Sequence, residues 1–286
     1  MNLKEVKLRI QSVKNTQKIT SAMKLVSAAK LRRAQNAIEG MRPYKEKLDE
    51  ILAAFLGSLS RVNTPWAVQR EAKKVAVVAV SSSSSLCGSF NSNIIREAKS
   101  VVEKYISAGA SVEIYPVGKK IFEAFKKSGY EQNTVLVEQA AKVTYAQVAA
   151  VAARLMERFA AGDIDRVELV YTHYHSAARQ VPVNEALLPV DTASVAGDTN
   201  TTATDFIIEP GREELLHTLL PKVITLRLFT ALLDSATAEH AARMLAMQIA
   251  TDNADELIQE LVREYNKGRQ QAITNELLDI VSGSAN

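Results

Sequence analysis

Two stretches of this chain, residues 2 to about 60 and about 213 to 281, each read as one long helix. At 1.5 Å per residue they are about 85 Å and about 100 Å long, so neither can bury an apolar stripe on a compact domain. In the first, Leu3, Val6, Ile10 and Val13 recur in alternating steps of three and four, and Leu31, Ala34, Ile38 and Met41 resume the pattern. Steps averaging 3.5 residues keep one stripe turned toward a partner helix, the signature of a coiled coil. Between the two runs the same register holds Gln17, Thr20, Lys24 and Ser27, which a two-stranded apolar seam should not tolerate. Either the seam rotates onto Ile19, Met23 and Val26, or this part of the helix faces a third, more polar surface. Asn2 and Glu5 are spaced as a capping box, and Gly40 with Pro43 is expected to bend the helix.

The second helical stretch, from Glu239 to Val281, holds no proline and a single glycine, Gly268. Met244, Ala250, Leu257, Leu261 and Tyr265 carry its stripe, and Pro221 is expected to kink its beginning. The two helices flank a central block, one leading in and the other leading out, so they are expected to lie antiparallel. The second outruns the first by about ten residues, about 15 Å of helix. That overhang carries Ile273, Leu277, Leu278 and Ile280, which face water unless a partner surrounds them.

The central block, about 73 to 210, alternates differently. "KKVAVVAV" (73–80), "SVEIYPV" (111–117), "NTVLV" (133–137) and "RVELVYTHY" (166–174) read as strands, with helices near 91–108, 118–128 and 144–160. Short apolar strands alternating with helices argue for an open, mostly parallel sheet with helices on its faces. The polar run 191–205 reads as a surface loop.

Net charge is +3, but residues 1–47 alone carry +9, which leaves about −6 for the rest. A basic first segment on an acidic remainder implies an acidic partner: nucleic acid, anionic lipid or an acidic protein surface. One cysteine excludes an intramolecular disulfide framework and a cysteine-built zinc site. No signal-like segment stands at the start, and no uninterrupted apolar run approaches the roughly 20 residues of a membrane span.

The most enzyme-like piece is "VVAVSSSSSLCGSF", where a strand meets five serines, the cysteine and a glycine. A phosphate-binding loop needs several glycines and a lysine, whereas this one has one glycine and no lysine. "VGKK" (117–120) lacks the upstream glycine and the Ser/Thr for magnesium, and neither G-x-G-x-x-G nor G-x-S-x-G occurs. Cys87 is a nucleophile only beside a base, and reads instead as a small packing residue. His173 and His175 share one strand face without a clear third ligand, so they read as satisfied strand histidines. The block is expected to be a docking domain, with the information concentrated in the helices.

Both ends of the chain resemble the γ subunit of F-type ATP synthases. The resemblance rests on "LRIQSVKNTQKITSAMKLVSAAKLRRAQ" (8–35), "EHAARMLAMQIATDNADELI" (239–258) and "YNKGRQQAITNELLDIVSG" (265–283), and it runs more loosely through the middle. It implies an antiparallel coiled-coil shaft formed by 1–60 and 211–286, with a Rossmann-like α/β foot at 73–210. It also implies a central rotor stalk that couples turning of a c ring to cycling of catalytic β subunits. Such a chain performs no chemistry itself and needs no cofactor or metal. Its partners would be the α and β subunits of the ring, the ε subunit and the c ring. Its place would be the cytoplasmic face of a bacterial inner membrane.

Carried over residue by residue, the resemblance places the contact with the α/β ring at Lys18, Met23, Lys24, Lys30, Arg269, Gln270, Thr274 and Glu276. The apolar tip, Ile273, Leu277, Leu278 and Ile280, would turn in a sleeve at the top of the ring. Phe206 and Glu209 would meet the c ring. Relatives commonly read Ser-Asp-Arg-Gly-Leu-Cys-Gly where this chain has Ser83, Ser84 and Ser85 before Leu86, Cys87 and Gly88. That departure removes the charges of an ion pair to β while leaving Cys87 as a contact. Two rival readings are a basic coiled coil gripping nucleic acid, whose binding would fall steeply with salt, and an enzyme confined to 73–210.

Overall fold

The computed structural model describes residues 3–57, 64–133, 144–191 and 211–284. In chain order the elements are α1 (Leu3–Gly57), a short 3-10 turn (Pro65–Ala67), β1 (Lys74–Val80), α2 (Phe90–Ser107) and β2 (Ser111–Val117). They continue with α3 (Lys119–Lys126), α4 (Tyr145–Ala161), β3 (Arg166–Tyr174), β4 (Gln180–Leu188) and α5 (Arg212–Ser284). Contacts group Met1–Ala29 with Arg243–Asn286 as one compact unit and Lys30–Ala242 as another.

The unit Lys30–Ala242 is built on a four-stranded sheet in the order β2-β1-β3-β4. β1 runs parallel to both β2 and β3, and β4 returns antiparallel to β3. This is the open, mostly parallel sheet expected from the sequence, with one antiparallel edge strand added. β4 escaped the sequence reading because "QVPVNEALL" mixes polar residues with Pro182, and proline removes a ladder donor. Edge strands tolerate both, since one side of their backbone needs no partner. The expected strand 133–137 lies outside the described residues apart from Asn133, whose N–H donates to Ile114 O at 2.8 Å. The loop 191–205 lies outside them too, apart from Asp191.

Side-chain alternation along the strands divides the core into two layers. Val75, Val77 and Ala79 point to one face, where Ile94, Ala98 and Val102 of α2 and Ile121 and Phe125 of α3 cover them. Ala76, Val78 and Val80 point to the other, against Val148, Leu155 and Phe159 of α4. The same layer takes in Leu48 and Leu52 of α1 and the run from Leu216 to Leu232 of α5. One stretch of α5, within Glu214–Ile280, is long and apolar enough by composition to cross a membrane, with a mean hydropathy of 1.4. The sequence reading missed it by counting only uninterrupted apolar residues. Its most apolar residues, Leu219, Leu220, Val223, Ile224 and Leu228, are buried in this core.

α1 stays helical through Gly40 and Pro43, and α5 stays helical through Pro221. Gly162 ends α4 in the left-handed conformation at φ 81°, a backbone state that costs little only without a Cβ.

One ionic cluster is locked into the α2 face. Glu168, 2% exposed, accepts from Tyr105 Oη and from Arg166 Nε, each at 2.5 Å. Burial, reinforced by the hydrogen bond to Glu168, pushes the Tyr105 phenol up to about 12. Arg166→Met strips the buried carboxylate of its cation. It is expected to cost about 2–4 kcal/mol, less than a fully buried pair because the guanidinium is 38% exposed. The double variant Arg166→Met/Glu168→Leu should recover most of that loss in denaturant titrations of the full chain. Equal losses in single and double variants would show that the cluster contributes nothing specific.

Candidate functional site

In the unit formed by Met1–Ala29 and Arg243–Asn286, α1 and α5 lie antiparallel, and their register can be read from side chains. A Cβ on Gly268 would sit 3.3 Å from Leu3 Cδ2. Gln17 Nε2 donates to Asp255 Oδ1 at 2.6 Å, the Thr20 and Thr251 hydroxyls meet at 2.9 Å, and Lys24 Nζ donates to Gln248 Oε1 at 2.8 Å. The advance from Gln17 to Lys24 along α1 is matched over the whole stretch by an equal retreat from Asp255 to Gln248 along α5. The apolar seam through Val6 (2% exposed) therefore does not rotate where the sequence turns polar; it continues as hydrogen-bonded pairs. Thr20, Ser27 and Thr251 are buried in it. On α5 the most buried residues of this unit are Met247, Thr251, Ala254 and Leu261, with Arg243. Of the stripe expected from the sequence, Leu261 is buried, while Met244, Ala250, Leu257 and Tyr265 are only half-buried on its flanks.

With a polar inside, the apolar residues are displaced outward. Ile19, Leu25 and Val26 of α1 are 60%, 65% and 56% exposed. Leu8 of α1 and Ile249 of α5 are exposed as well. Beyond the Leu3–Gly268 contact α5 runs on to Ser284. There Ile273, Leu277, Leu278 and Ile280 are 49% to 68% exposed. Each such side chain forgoes about 1.5–3 kcal/mol available from full burial. Arg269, Gln270, Thr274 and Glu276 are exposed on the same segment. The Thr274 hydroxyl donates to Gln270 O at 2.9 Å, so it already serves its own helix.

The serine loop is closed on itself. Gly118, at φ 97°, lets the backbone before α3 approach Ser81, where a Cβ would fall 2.3 Å from Ser81 O. Ser81 Oγ then accepts from Ile121 N at 3.0 Å, and Ser82 O accepts from Lys120 N at 3.2 Å. The first amides of α3, which would grip a phosphate, are thus already used. Asn91 braces the loop from α2. Its Oδ1 accepts from Ser82 N at 3.1 Å, and its Nδ2 donates to Ser82 Oγ at 2.8 Å and Cys87 Sγ at 3.1 Å. Cys87 is 1% exposed and packs with Phe90 and Ala238. It is a packing residue, and its thiol does not present a contact surface. Leu86 does: it is 60% exposed at φ 66°, a left-handed conformation uncommon outside glycine.

The strand histidines are likewise engaged. His173 Nδ1 pairs with Asp234 Oδ2, Tyr174 N donates to Asp234 Oδ1 at 3.0 Å, and the His173 and His175 rings meet edge to face at 4.4 Å. Tyr171 Oη donates to Glu185 Oε1 at 2.9 Å, and burial together with that carboxylate raises its pKa.

The sequence profile of the ATP synthase family matches residues 2–286. The ATP synthase gamma chain of Bacteroides thetaiotaomicron is 50% identical, covering 99% of both chains, and that of Bacteroides fragilis is 52% identical over 99% of both. The chain belongs to the ATP synthase gamma chain family. As a gamma chain it is a subunit of ATP synthase. Its fold is similar to a chain in the rotor of Euglena gracilis mitochondrial ATP synthase (TM-score 0.64, 20% identity, 95% and 98% of the two chains covered). It is also similar to a chain in the OSCP/F1/c-ring assembly of that enzyme (TM-score 0.67, 20% identity, 99% and 93% covered). At that identity the likeness is one of fold.

Among the residues singled out in the sequence for this gamma chain, Lys18 and Lys30 are exposed and Met23 is half-buried. Lys24 is half-buried and bonded across the seam to Gln248. Phe206 and Glu209 lie outside the described residues. The sequence missed Gln248, Thr251 and Asp255, although they are spaced by three and then four residues, as Gln17, Thr20 and Lys24 are. The pairing is testable. Thr20 and Thr251 each also bond a carbonyl of their own helix, at 3.0 and 2.8 Å. Thr20→Val/Thr251→Val is therefore expected to leave thermal stability unchanged or raise it by up to about 1–2 kcal/mol. A loss above about 1 kcal/mol in helical circular dichroism melts would mean that the pair stabilises the hairpin rather than fixing its register.

Proposed function

We propose that the chain works as the shaft of an F-type ATP synthase and carries out no bond chemistry of its own. Residues 1–60 and 211–286 supply the shaft and 73–210 the foot. One observation supports this reading above the others: between residues 17 and 27 hydroxyls, an amide and an ammonium take seam positions while Ile19, Leu25 and Val26 stand exposed. A free-standing coiled coil would have the opposite polarity. The inversion suits a rod enclosed by other protein, the ring of α and β subunits, with Ile19, Leu25 and Val26 as bearing contacts.

Lys18 and Lys30 meet acidic loops of that ring, and Met23 packs beside them. Lys24 serves the ring less than the seam. Arg269, Gln270 and Glu276 catch the ring near the upper end, with Thr274 as a lesser contact. Ile273, Leu277, Leu278 and Ile280 turn within the apolar sleeve above. The contact once given to Cys87 passes to Leu86, flanked by Ser84 and Ser85. At the foot, Phe206 and Glu209 meet the c ring, and the ε subunit binds alongside. Turning the asymmetric shaft forces each β site through successive nucleotide affinities, because each angular position presents a different set of side chains. The chain reaches the cytoplasmic face of a bacterial inner membrane only through this complex.

The direct test is reconstitution of the chain with α and β subunits. A stoichiometric complex with raised ATPase turnover is expected, and unchanged assembly and turnover would rule the shaft reading out. Salt-dependent nucleic-acid binding without assembly would favour the basic coiled-coil reading instead. Within an assembled complex, Arg269→Ala should lower coupled turnover several-fold without changing the melting of the chain, a loss of about 1 kcal/mol. Replacing Leu277 and Leu278 with Asp should destabilise the seated tip by about 2–4 kcal/mol, read as subunit dissociation at lower denaturant. Unaltered dissociation would remove the sleeve from the proposal.

A further inference from the structure

His173 lies on β3 and His175 just past its end, two positions apart, so both side chains stand on one face. Their rings meet edge to face with centroids 4.4 Å apart. Of the two, His173 is satisfied through one nitrogen only. Asp234 of α5 accepts from its Nδ1, and the other oxygen of that carboxylate accepts from Tyr174 N at 3.0 Å. An ionised carboxylate only accepts, so the proton of a neutral His173 ring sits on Nδ1 and the Nε2 lone pair is left over. Among the described residues neither that nitrogen nor the ring of His175 has a hydrogen-bond partner. The His173 side chain is 43% exposed and His175 is exposed, so a hydrated ion can reach both.

Two imidazoles side by side, one with its far nitrogen fixed by a carboxylate, form a donor set for a borderline divalent metal. The carboxylate orients the His173 ring and strengthens it as a ligand. The charges lining the cleft beside His173 balance, with Arg42, Lys45 and Arg227 against Asp49, Glu185 and Asp234, so no excess of cations repels the ion. Arg179, which faces His175 across the β3–β4 turn, is exposed and can turn its guanidinium into water.

We propose that His173 and His175 bind one Zn²⁺ ion, with Asp234 as the positioning carboxylate behind His173. Among the described residues no third histidine, cysteine or carboxylate joins the pair, so water completes the coordination. His175 is held through its backbone N–H, which donates to Arg179 O at 3.2 Å, and its exposed ring turns to bring both donors onto the ion. Mg²⁺ is rejected, because it prefers oxygen ligands in an octahedron. The donors belong to the β3 end and Asp234 to α5, so the bound ion tightens the tie between strand and helix. Nothing in the shaft reading calls for this ion, and the site stands or falls apart from it.

The test is calorimetric titration of the metal-free full chain with Zn²⁺. One saturable site is expected, absent with Mg²⁺ and lost in both His173→Ala and His175→Ala. Asp234→Asn should weaken it by about tenfold or more. In chain labelled with ¹⁵N histidine, Zn²⁺ should shift the His173 Nε2 resonance. Asp234→Asn without metal should average the two His173 nitrogens as the proton is freed to exchange, a change that loss of packing alone would not produce. His175 is exposed, so His175→Ala keeps the fold and decides the matter even if Asp234→Asn does not fold. The proposal is overturned by the absence of a saturable site, or by a site that survives His175→Ala and so belongs to other residues. Unchanged affinity in a folded Asp234→Asn variant would remove Asp234 from it.

Discussion

The hydrogen-bonded seam between α1 and α5 is the interaction on which the rest of this structure depends. Two helices of 55 and 73 residues gain little from isolated helix propensity and need a continuous partner surface. Where Val6 and Leu261 line the seam, apolar burial supplies that surface. Between Gln17 and Lys24, hydrogen bonds to Asp255, Thr251 and Gln248 replace it. A slip of the helices past one another would break all three pairs, taking Gln248 away from the half-buried Lys24 ammonium and leaving the Thr20 and Thr251 hydroxyls only the carbonyls of their own helices. The polar layer therefore trades some burial energy for a fixed register. In the shaft proposed above, a defined register matters more than maximal stability.

The same exchange explains the outer surface. A helix has a limited number of apolar positions, and those withheld from the seam stand outside as Ile19, Leu25 and Val26. Inside the sheet-bearing unit the logic is ordinary. Strand alternation sorts β1 into two faces, each covered by helices, and the buried Glu168 carboxylate arrives with its partners, Tyr105 and Arg166. What resembles a catalytic loop in that unit is a turn tied to its neighbours, although the Ser83 hydroxyl is buried without a hydrogen-bond partner among the described residues. Ser81 and Ser82 occupy the amides of α3, and Asn91 fastens the turn to α2.

Where the sequence misled, the cause was a contact between residues far apart in the chain. The family resemblance carried Cys87 over as a contact with β, but Phe90 and Ala238 of α5 pack with it and it is 1% exposed. The resemblance gave Lys24 to the α/β ring, but its ammonium donates across the seam to Gln248. β4 looked like no strand at all because half its pattern belongs to an exposed edge. Leu86, beside Cys87 in sequence, is the side chain that the loop displays.

Periodicity alone determined that two long helices flank an α/β block, and the motifs at both ends were enough to indicate the family. These signals are local, carried by the spacing of side chains on one backbone, and they need no partner to be legible. Tertiary structure alone decided that the polar stretch stays in the seam, and that Leu86 is exposed while Cys87 is buried. It also brought Arg227 into a cleft with Met41 and Leu187. A hydrogen bond joins two chain segments, and its existence depends on the register that brings them face to face. That register is a property of the pair, so neither helix could declare it by itself.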